Sequence, residues 1–204
     1  MRFLYRYSAP LALLAVAACG SEARTSDADG YRGRVLPEPR PKVDFTLTDT
    51  DGAPFHFVQE TDGYVALLFF GYTHCPDVCP VHMANIAAVL ADFPYELRRQ
   101  FKVVFVTTDP ERDKPEQIRA WLDNFDSSFI GLRGDEEEVN DIMNQLGLPG
   151  AIKEGEGDDY TVGHAASVIA FSKEGPSYVV YPFGTRQADW AHDLPKLAEH
   201  GGRD

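Results

Sequence analysis

The sequence predicts an α/β fold with a central mixed sheet flanked by helices. Between residues 65 and 146, apolar runs with strand character alternate with segments of helical periodicity, the pattern of parallel strands joined by right-handed crossovers. A hairpin is predicted before this unit, where residues 45–47 and 55–57 alternate apolar and polar side chains across a turn. A second hairpin follows the unit, at 167–171 and 178–181, and makes the sheet mixed.

Each element between the hairpins follows from its apolar spacing and from the turn residues beside it. The spacing predicts strands at 65–70, 103–106 and 129–132 and helices at about 75–93, 115–125, 136–146 and 187–200. Gly147 closes the third helix, because glycine readily takes the left-handed conformation that ends helices. The segment 149–163 is predicted to be a loop.

The stretch from Gly71 to Pro80, GYTHCPDVCP, directly follows the first of these strands. The strand is a continuous apolar run and is expected to be fully buried. If the next helix begins near Cys75, then Cys75 and Cys79 are four residues apart on one face of its first turn. Sites in open α/β sheets form beyond the carboxyl ends of strands, which is where both cysteines are predicted to lie.

Thiols at a helix N-terminus are reactive, because free amides and the helix dipole lower a cysteine pKa from about 8.5. Pro76 suits a first turn, and Asp77 is expected to cap the helix. Such a pair can exchange with a disulfide or bind a soft ion such as Cu(I). A purely structural disulfide is the third option, although a domain of this length has little need of one.

Composition and charge limit the classes of function. The 204 residues are 44% hydrophobic and 25% charged, which indicates one globular domain with appendages. The net charge of -13 argues against nucleic-acid binding, because no basic patch is available to neutralise phosphates. An acidic surface serves solubility, or it attracts metal cations or a basic partner domain.

The N-terminus is predicted to carry an export signal. Arg2 and Arg6 precede an apolar stretch at 11–18 that is too short to span a bilayer, so residues 1–18 are interpreted as a signal peptide. The stretch ends Val-Ala-Ala-Cys-Gly and resembles the lipobox of bacterial lipoproteins, which implies that Cys19 is lipidated. Cleavage without lipidation is the alternative, but it leaves an unpaired thiol.

A tether is predicted to join this anchor to the folded domain. Residues 19–42 are polar and then proline-rich, which predicts a flexible segment that stiffens toward polyproline II. The folded domain is therefore predicted at 43–204. It would face the periplasm from a lipid anchor in the bacterial cell envelope.

Three motifs in order resemble the Sco/SenC family of copper-binding thioredoxin-like proteins, which act in cytochrome c oxidase assembly. They are GYTHCPDVCP, TTDPERD at residues 107–113 and DYTVGHAASVIAF at residues 159–171. The resemblance implies a thioredoxin-like fold. It also implies that Cys75, Cys79 and His164 are the copper ligands.

Two positions depart from the family pattern. The residue before the ligand histidine is usually acidic and is Gly163 here, and the residue after it is usually Ser or Thr and is Ala165 here. Loss of a partner that orients a ligand histidine typically costs about 10 to 100-fold in metal affinity. Alternatively, the glycine gives the loop freedom to swing His164 onto the metal.

The ligand set agrees with copper chemistry. Two thiolates and one imidazole suit Cu(I) and leave it three-coordinate, open to ligands of a receiving protein. Zinc normally takes a fourth ligand in a closed site. Cu(II) would prefer additional nitrogen or oxygen ligands.

Other polar residues near the motifs are weaker candidates. Asp109 and Asp113 resemble family aspartates proposed to act around the site, and the alternative is that they cap the helix beginning near Pro115. His74 is expected to tune the pKa of Cys75, and His82 to face either the metal or solvent. The remaining histidines are expected on the surface: His56, His192 and His200.

Two functions remain open. The first is a copper metallochaperone that delivers copper to the dinuclear site in a subunit of a haem-copper respiratory oxidase. The second is a thiol-disulfide oxidoreductase that keeps the cysteines of that site reduced through a Cys75–Cys79 redox disulfide. Three residues between the cysteines favour copper, because dedicated reductants use Cys-x-x-Cys. Another periplasmic copper carrier or a thiol reductant is a further expected partner.

Overall fold

An eight-stranded mixed sheet forms the centre of the structure, a computed structural model that describes residues 30–155, 157 and 160–200. The predicted signal peptide and Cys19 therefore lie outside the described residues. The strands are β1 (Arg34–Arg40), β2 (Thr46–Asp49), β3 (Pro54–His56), β4 (Val65–Gly71), β5 (Phe101–Thr107), β6 (Ile130–Arg133), β7 (Ile152–Glu154), β8 (Thr161–Gly163), β9 (Ser167–Phe171) and β10 (Ser177–Pro182). The helices are α1 (Phe57–Glu60), α2 (Val78–Ala91), α3 (Tyr95–Arg98), α4 (Pro115–Leu122), α5 (Glu136–Gln145) and α6 (Gln187–His200).

The strand order confirms the predicted mixed α/β sheet. The order is β1-β10-β9-β4-β5-β6-β2-β3, and β4, β5 and β6 run parallel. The other pairs are antiparallel, including the two predicted hairpins, β2 with β3 and β9 with β10. β7 and β8 pair separately.

The central strand β4 is buried at every residue and divides the core into two layers. Its side chains alternate between the faces: Leu67 and Phe69 join the layer beneath α2, α4 and α6, whereas Leu68 and Phe70 join the layer beneath α5. This alternation follows from the two-residue period of a strand. Helices on both faces explain why the run is apolar throughout.

Helix α2 begins later than predicted, at Val78 rather than near Cys75. Pro76 disfavours helical dihedrals at the residue before it, so Cys75 is excluded from the helix. Asp77 is the N-cap, and its carboxylate accepts a hydrogen bond from the backbone N–H of Val78 at 2.6 Å. The capping role predicted for Asp77 is therefore confirmed, and Cys75 lies in the turn that precedes the helix.

The tether prediction is wrong for residues 34–40, which form β1 and pair with β10. Prolines are tolerated in an edge strand, where one side of the backbone needs no hydrogen bond, and β1 lies at the edge of the sheet. Leu36 of β1 is buried in the core. The carboxylate of Asp193 on α6 also accepts the backbone N–H groups of Arg32 and Gly33. The folded domain thus begins before residue 43.

The predicted loop 149–163 contains a small hairpin, in which Ile152 of β7 pairs with Gly163 of β8. Alternation is hard to recognise in strands of three residues. The short helices α1 and α3 are also absent from the sequence-based prediction. No helix within the described ranges is long and apolar enough to cross a membrane.

Candidate metal centre

Three side chains predicted as ligands converge beyond the carboxyl end of β4. Cys75 and Cys79 come from the turn after β4 and the first turn of α2, and His164 comes from the loop between β8 and β9. One ligand atom from each lies within 4.8 Å of the others. We call these three residues the Cys-Cys-His group.

Cys79 is the buried member, with no exposed surface. Its Sγ lies 3.5 Å from Nε2 of His164. Gly71, the last residue of β4, makes this position possible, because a Cβ on Gly71 would lie only 2.7 Å from the sulfur of Cys79. The end of the core strand therefore lies directly against the group.

Cys75 is 8% exposed and accepts hydrogen bonds at the start of α2. Its Sγ accepts the backbone N–H of Cys79 at 3.4 Å. The pKa of Cys75 is lowered to about 3, chiefly by the hydrogen bond from the Cys79 side chain, and further by His164 and by backbone N–H groups. Burial and the neighbouring Cys75 sulfur raise the pKa of Cys79. The reduced, metal-free pair is therefore one thiolate and one thiol.

The imidazole of His164 is half-buried and held in place from two sides. Its Nδ1 lies 3.2 Å from the carbonyl oxygen of Ala165, to which an Nδ1–H can donate, and its Nε2 faces Cys79. The rings of Phe69 and Tyr72 meet the imidazole edge-on, at 5.8 and 5.7 Å. A backbone carbonyl thus provides an orienting contact although position 165 lacks a hydroxyl.

Gly163 leaves open space beside His164. A Cβ at this position would meet only the carbonyl oxygen of Ile152 at 3.6 Å and Oε1 of Glu154 at 3.7 Å, which are ordinary contacts. No left-handed dihedral requires glycine there. The local backbone would therefore accommodate a side chain.

Asp113 is fully buried and fixes the turn that carries Cys75. Its carboxylate accepts the backbone N–H and the hydroxyl of Thr73, at 2.9 and 2.6 Å, and the hydroxyl of Thr107 at 2.6 Å. Nδ1 of His74 lies 3.6 Å from the same carboxylate, and the His74 side chain is partly exposed. Asp113 and His74 therefore support the turn and are not members of the Cys-Cys-His group.

Asp109 is also fully buried and holds Tyr160, the residue directly before β8, the strand that leads to His164. It accepts the Tyr160 hydroxyl at 2.7 Å and the Nε–H of Arg112. The Arg112 guanidinium lies 3.6 Å from the centroid of the Tyr160 ring and donates to the Tyr160 carbonyl at 3.0 Å. We call Asp109, Arg112 and Tyr160 the loop clamp.

The alternative role for the two aspartates, capping the helix near Pro115, is wrong. The N-cap residue of α4 is Lys114, and no side chain hydrogen-bonds there. Sequence reasoning named Asp109 but missed Arg112 and Tyr160. Both lie inside the quoted motifs, TTDPERD and DYTVGHAASVIAF, which is the signal that could have found them.

His82 faces neither the metal position nor solvent, contrary to both alternatives. It is 2% exposed, lies outside the Cys-Cys-His group and has Nε2 at 3.4 Å from the carbonyl oxygen of Ala166. Burial lowers its pKa, which favours the neutral ring. His56 is exposed as predicted, whereas His192 is half-buried with Nδ1 at 2.7 Å from Asp193.

Known proteins are similar to this chain in sequence and fold. The SCO1/SenC family model matches residues 36–199. A protein of Stutzerimonas stutzeri, named as a candidate copper-binding protein, is 33% identical over 141 residues, 69% of each chain. Apo Sco1 of Thermus thermophilus has a TM-score of 0.73 at 31% identity, covering 83% of this chain and 98% of its own. Copper-bound ScoI of Bradyrhizobium japonicum has a TM-score of 0.68 at 30% identity, covering 77% and 99%.

A more distant structure, BsSco, is 20% identical with a TM-score of 0.63 and covers 82% of this chain and 99% of its own. It is described as a member of the Sco family of cytochrome c oxidase assembly proteins with a disulfide switch. At this identity it supports the fold alone. The match of the family model over most of the chain decides the assignment: the chain belongs to the SCO1/SenC family.

Proposed function

We propose that the protein is a copper metallochaperone that holds copper on Cys75, Cys79 and His164 and delivers it to the dinuclear copper site of a haem-copper respiratory oxidase. The observation that carries this proposal is the convergence of two sulfurs and one imidazole nitrogen within 4.8 Å. Copper is the cargo, as suggested by the copper-bound relative at 30% identity. The oxidase is the proposed recipient because the family to which the chain belongs is described as one of cytochrome c oxidase assembly proteins.

The donor set supports transfer of a soft ion. Thiolate and imidazole ligands suit Cu(I), and three ligands leave a coordination position open to an incoming ligand. Binding displaces the proton of Cys79, because a metal-bound cysteine is a thiolate. One of the two cysteines is already in the thiolate form that binds metal, since Cys75 has lost its proton near neutral pH.

The group is also accessible from one side. Cys79 is buried and Cys75 nearly so, but His164 is half-buried on a loop outside the main sheet. Ligands of a receiving protein would reach the ion past His164 and replace the protein's ligands one by one. Cu(I) is then transferred from one protein to the other without a change in oxidation state.

The test is transfer itself. Protein loaded with one equivalent of Cu(I) is mixed with the metal-free, reduced copper-site domain of an oxidase subunit, and copper is measured in each protein after separation. We expect copper in the oxidase domain. The same measurement starts from protein with a Cys75–Cys79 disulfide, which has no thiolate to offer and should neither load nor deliver copper. Equal loading of the disulfide form would place the copper site elsewhere.

A thiol-disulfide oxidoreductase is the second candidate, supported by the low pKa of Cys75 beside a protonated Cys79. The Cys75 thiolate would attack a disulfide of the oxidase site, forming a mixed disulfide and releasing one thiolate. Cys79 would then attack the sulfur of Cys75, release the second partner sulfur and give up its proton to a departing thiolate. One substrate disulfide is reduced and one Cys75–Cys79 disulfide forms.

A substitution of His164 distinguishes the two candidate functions. Replacing His164 with Ala removes a proposed copper ligand but leaves both thiols. We expect this variant to lose copper delivery while it still reduces the oxidised oxidase domain, if that second activity exists. A wild type that reduces the disulfide but never transfers copper would favour the second function.

We also propose that Cys19 carries a lipid anchor that holds the domain at the periplasmic side of the bacterial cell envelope. The support is the sequence Val-Ala-Ala-Cys-Gly after an apolar stretch. In the structure, the described chain starts at Gly30, whose carbonyl accepts a hydrogen bond from Lys196 on α6.

A further inference from the structure

Most of the exposed large apolar side chains lie on segments adjacent to the Cys-Cys-His group. Four large hydrophobic side chains are exposed among the described residues, and three of them, Val81, Ile152 and Phe183, lie on segments next to the group, with exposed fractions of 41%, 64% and 47%. The fourth, Tyr95, lies on α3 just before β5, at the opposite end of the sheet. Scattered apolar side chains need no explanation, but a cluster marks an interaction site. We call Val81, Ile152 and Phe183 the apolar rim.

Val81 and Phe183 form one side of the rim. Val81 follows Cys79 by two residues on α2, and Asn85, one turn later, accepts a hydrogen bond from Gln187 at the start of α6. This side of α2 therefore faces the segment that carries Phe183. The ring of Phe183 lies edge-on to the ring of His82 at 6.0 Å.

Both sides of the rim are connected to the loop that carries His164. The backbone N–H of Phe183 donates to the carbonyl of Ala166 at 2.8 Å, two residues after His164. On the other side, Ile152 pairs with Gly163, the residue before His164. The apolar rim therefore flanks the imidazole, the most accessible member of the group.

The surroundings of the rim are acidic. Asp77 and Glu154 are exposed and form no ion pair within the described part of the chain. The nearby cations are already paired: Lys153 with Glu111 and Glu136, and Arg186 with Asp189.

We propose that the apolar rim is the docking surface for the protein that exchanges copper with the Cys-Cys-His group, and that this partner presents its copper ligands within an apolar patch edged by Lys and Arg. The inference rests on the proposed function and names the partner's surface. Cys79 is inaccessible to solvent and His164 is the most exposed member of the group, so incoming ligands reach the ion most readily when the two proteins touch around His164. Apolar contacts there exclude water from the exchange, and the acidic surroundings attract a basic partner.

The test compares rates of copper transfer. The probe is the purified copper-site domain of an oxidase subunit, mixed with Cu(I)-loaded full-length protein in a stopped-flow experiment. We expect the triple variant Val81→Ser, Ile152→Ser, Phe183→Ser to transfer copper at least about tenfold more slowly, since a few apolar contacts dominate most interfaces. Tyr95→Ser is the matched control and should transfer at the wild-type rate. Copper affinity and thermal unfolding should be unchanged in both.

Phe183 contacts His82, so the triple variant also removes a packing contact close to the metal centre. A second variant that keeps this contact is therefore included. If the triple variant loses copper affinity, the double variant Val81→Ser, Ile152→Ser leaves that contact intact, and we expect at least about threefold slower transfer from it. Transfer by wild type should also slow as ionic strength rises from about 0.01 to 0.15 M, because opposite charges attract less when screened. A transfer rate that is constant or rises with salt would contradict the proposal that the partner's patch is edged by Lys and Arg.

Different results would contradict the docking surface and the proposed metallochaperone function. Wild-type transfer with no loss in the double or triple variant overturns the docking surface and leaves the function standing. No transfer by wild type overturns the function. In that case amide NMR signals of the metal-free protein, recorded with the oxidase domain added, decide the docking surface: changes centred on residues 81, 152 and 183 support it, and changes elsewhere or none overturn it.

Discussion

The imidazole Nε2 of His164 lies 3.5 Å from the sulfur of Cys79, although 85 positions separate the two residues. The contact exists because the turn after β4 and the loop before β9 meet at one end of neighbouring strands. The sheet thereby brings the two cysteine sulfurs, which are soft donors, close to an imidazole.

The ionisation of Cys75 should be visible in its reactivity. Because its pKa is lowered to about 3, the rate of alkylation by iodoacetamide in the reduced, metal-free protein should change less than about twofold between pH 5 and pH 8. An ordinary thiol reacts roughly tenfold more slowly for each unit below its pKa of about 8.5. Peptide mass analysis locates the label, and a tenfold loss per pH unit at Cys75 would contradict the thiolate.

The same ionisation predicts how stability depends on pH. Between about pH 3 and pH 8.5 the unfolded thiol of Cys75 binds a proton that the native thiolate does not, so this residue makes the native state more stable as pH rises through that window. The contribution is fully present above the pKa of the unfolded thiol and is lost as pH falls toward 3. The free energy of unfolding of the reduced protein, measured with denaturant, should increase less between pH 5 and pH 8 for Cys75→Ser than for wild type.

Gly71→Ala should damage the core beside the group. The new Cβ would lie 2.7 Å from Sγ of Cys79 and 2.9 Å from the ring of Phe69, so the sulfur or the strand must shift. We expect a loss of about 1–3 kcal/mol in the free energy of unfolding, typical of overpacking, together with weaker copper binding. Gly163→Ala is the control, because its Cβ meets only ordinary contacts. Equal stability of Gly71→Ala and wild type would show that the strand end is more adaptable than its packing indicates.

Tyr160→Phe tests the loop clamp. The change removes the hydroxyl that donates to the buried carboxylate of Asp109 at 2.7 Å, at a cost of about 1.5–3 kcal/mol for a hydrogen bond to a charged group. Copper affinity should fall as the loop of His164 loosens, and amide exchange should quicken at residues 160–165. Tyr95→Phe removes an exposed hydroxyl and serves as the control. Unchanged exchange in the loop would assign Tyr160 to stability alone.

Cys19→Ser tests the anchor. We expect the variant to leave the membrane fraction or to remain unprocessed, because the residue that would carry the lipid is gone. Copper binding by the folded domain should be unchanged, since Cys75, Cys79 and His164 are the proposed ligands. A processed variant that still partitions fully with membranes would contradict lipidation at this position.

The fold was largely predictable because strong local signals carry it. The continuous apolar run of β4 and the helical spacing after Cys79 are both found in the structure. Two errors have local causes. Pro76 shortens α2 by disfavouring helical dihedrals at Cys75, and the prolines of β1 conceal an edge strand that Leu36 attaches to the core.

The site was predictable only in part. The cysteine pair follows from its place after a core strand, whereas His164 entered through a resemblance, because contacts across 85 residues leave no local signal. The hydrogen bond from Tyr160 to Asp109 spans 51 residues and escaped prediction for the same reason. The burial of His82 depends on rings from three separate segments, Phe69, Phe183 and Trp190, which no local pattern brings together.

The most direct test of the proposed copper site is the Cu(I) affinity of His164→Ala beside that of His56→Ala, an exposed histidine on β3. Both are measured by competition with a chelator of known affinity, using reduced protein. We predict that His164→Ala binds Cu(I) at least about 100-fold more weakly, beyond the usual cost of losing only a partner of a ligand, while it still forms the Cys75–Cys79 disulfide. His56→Ala should match wild type. Wild-type affinity in His164→Ala would contradict the proposed ligand set.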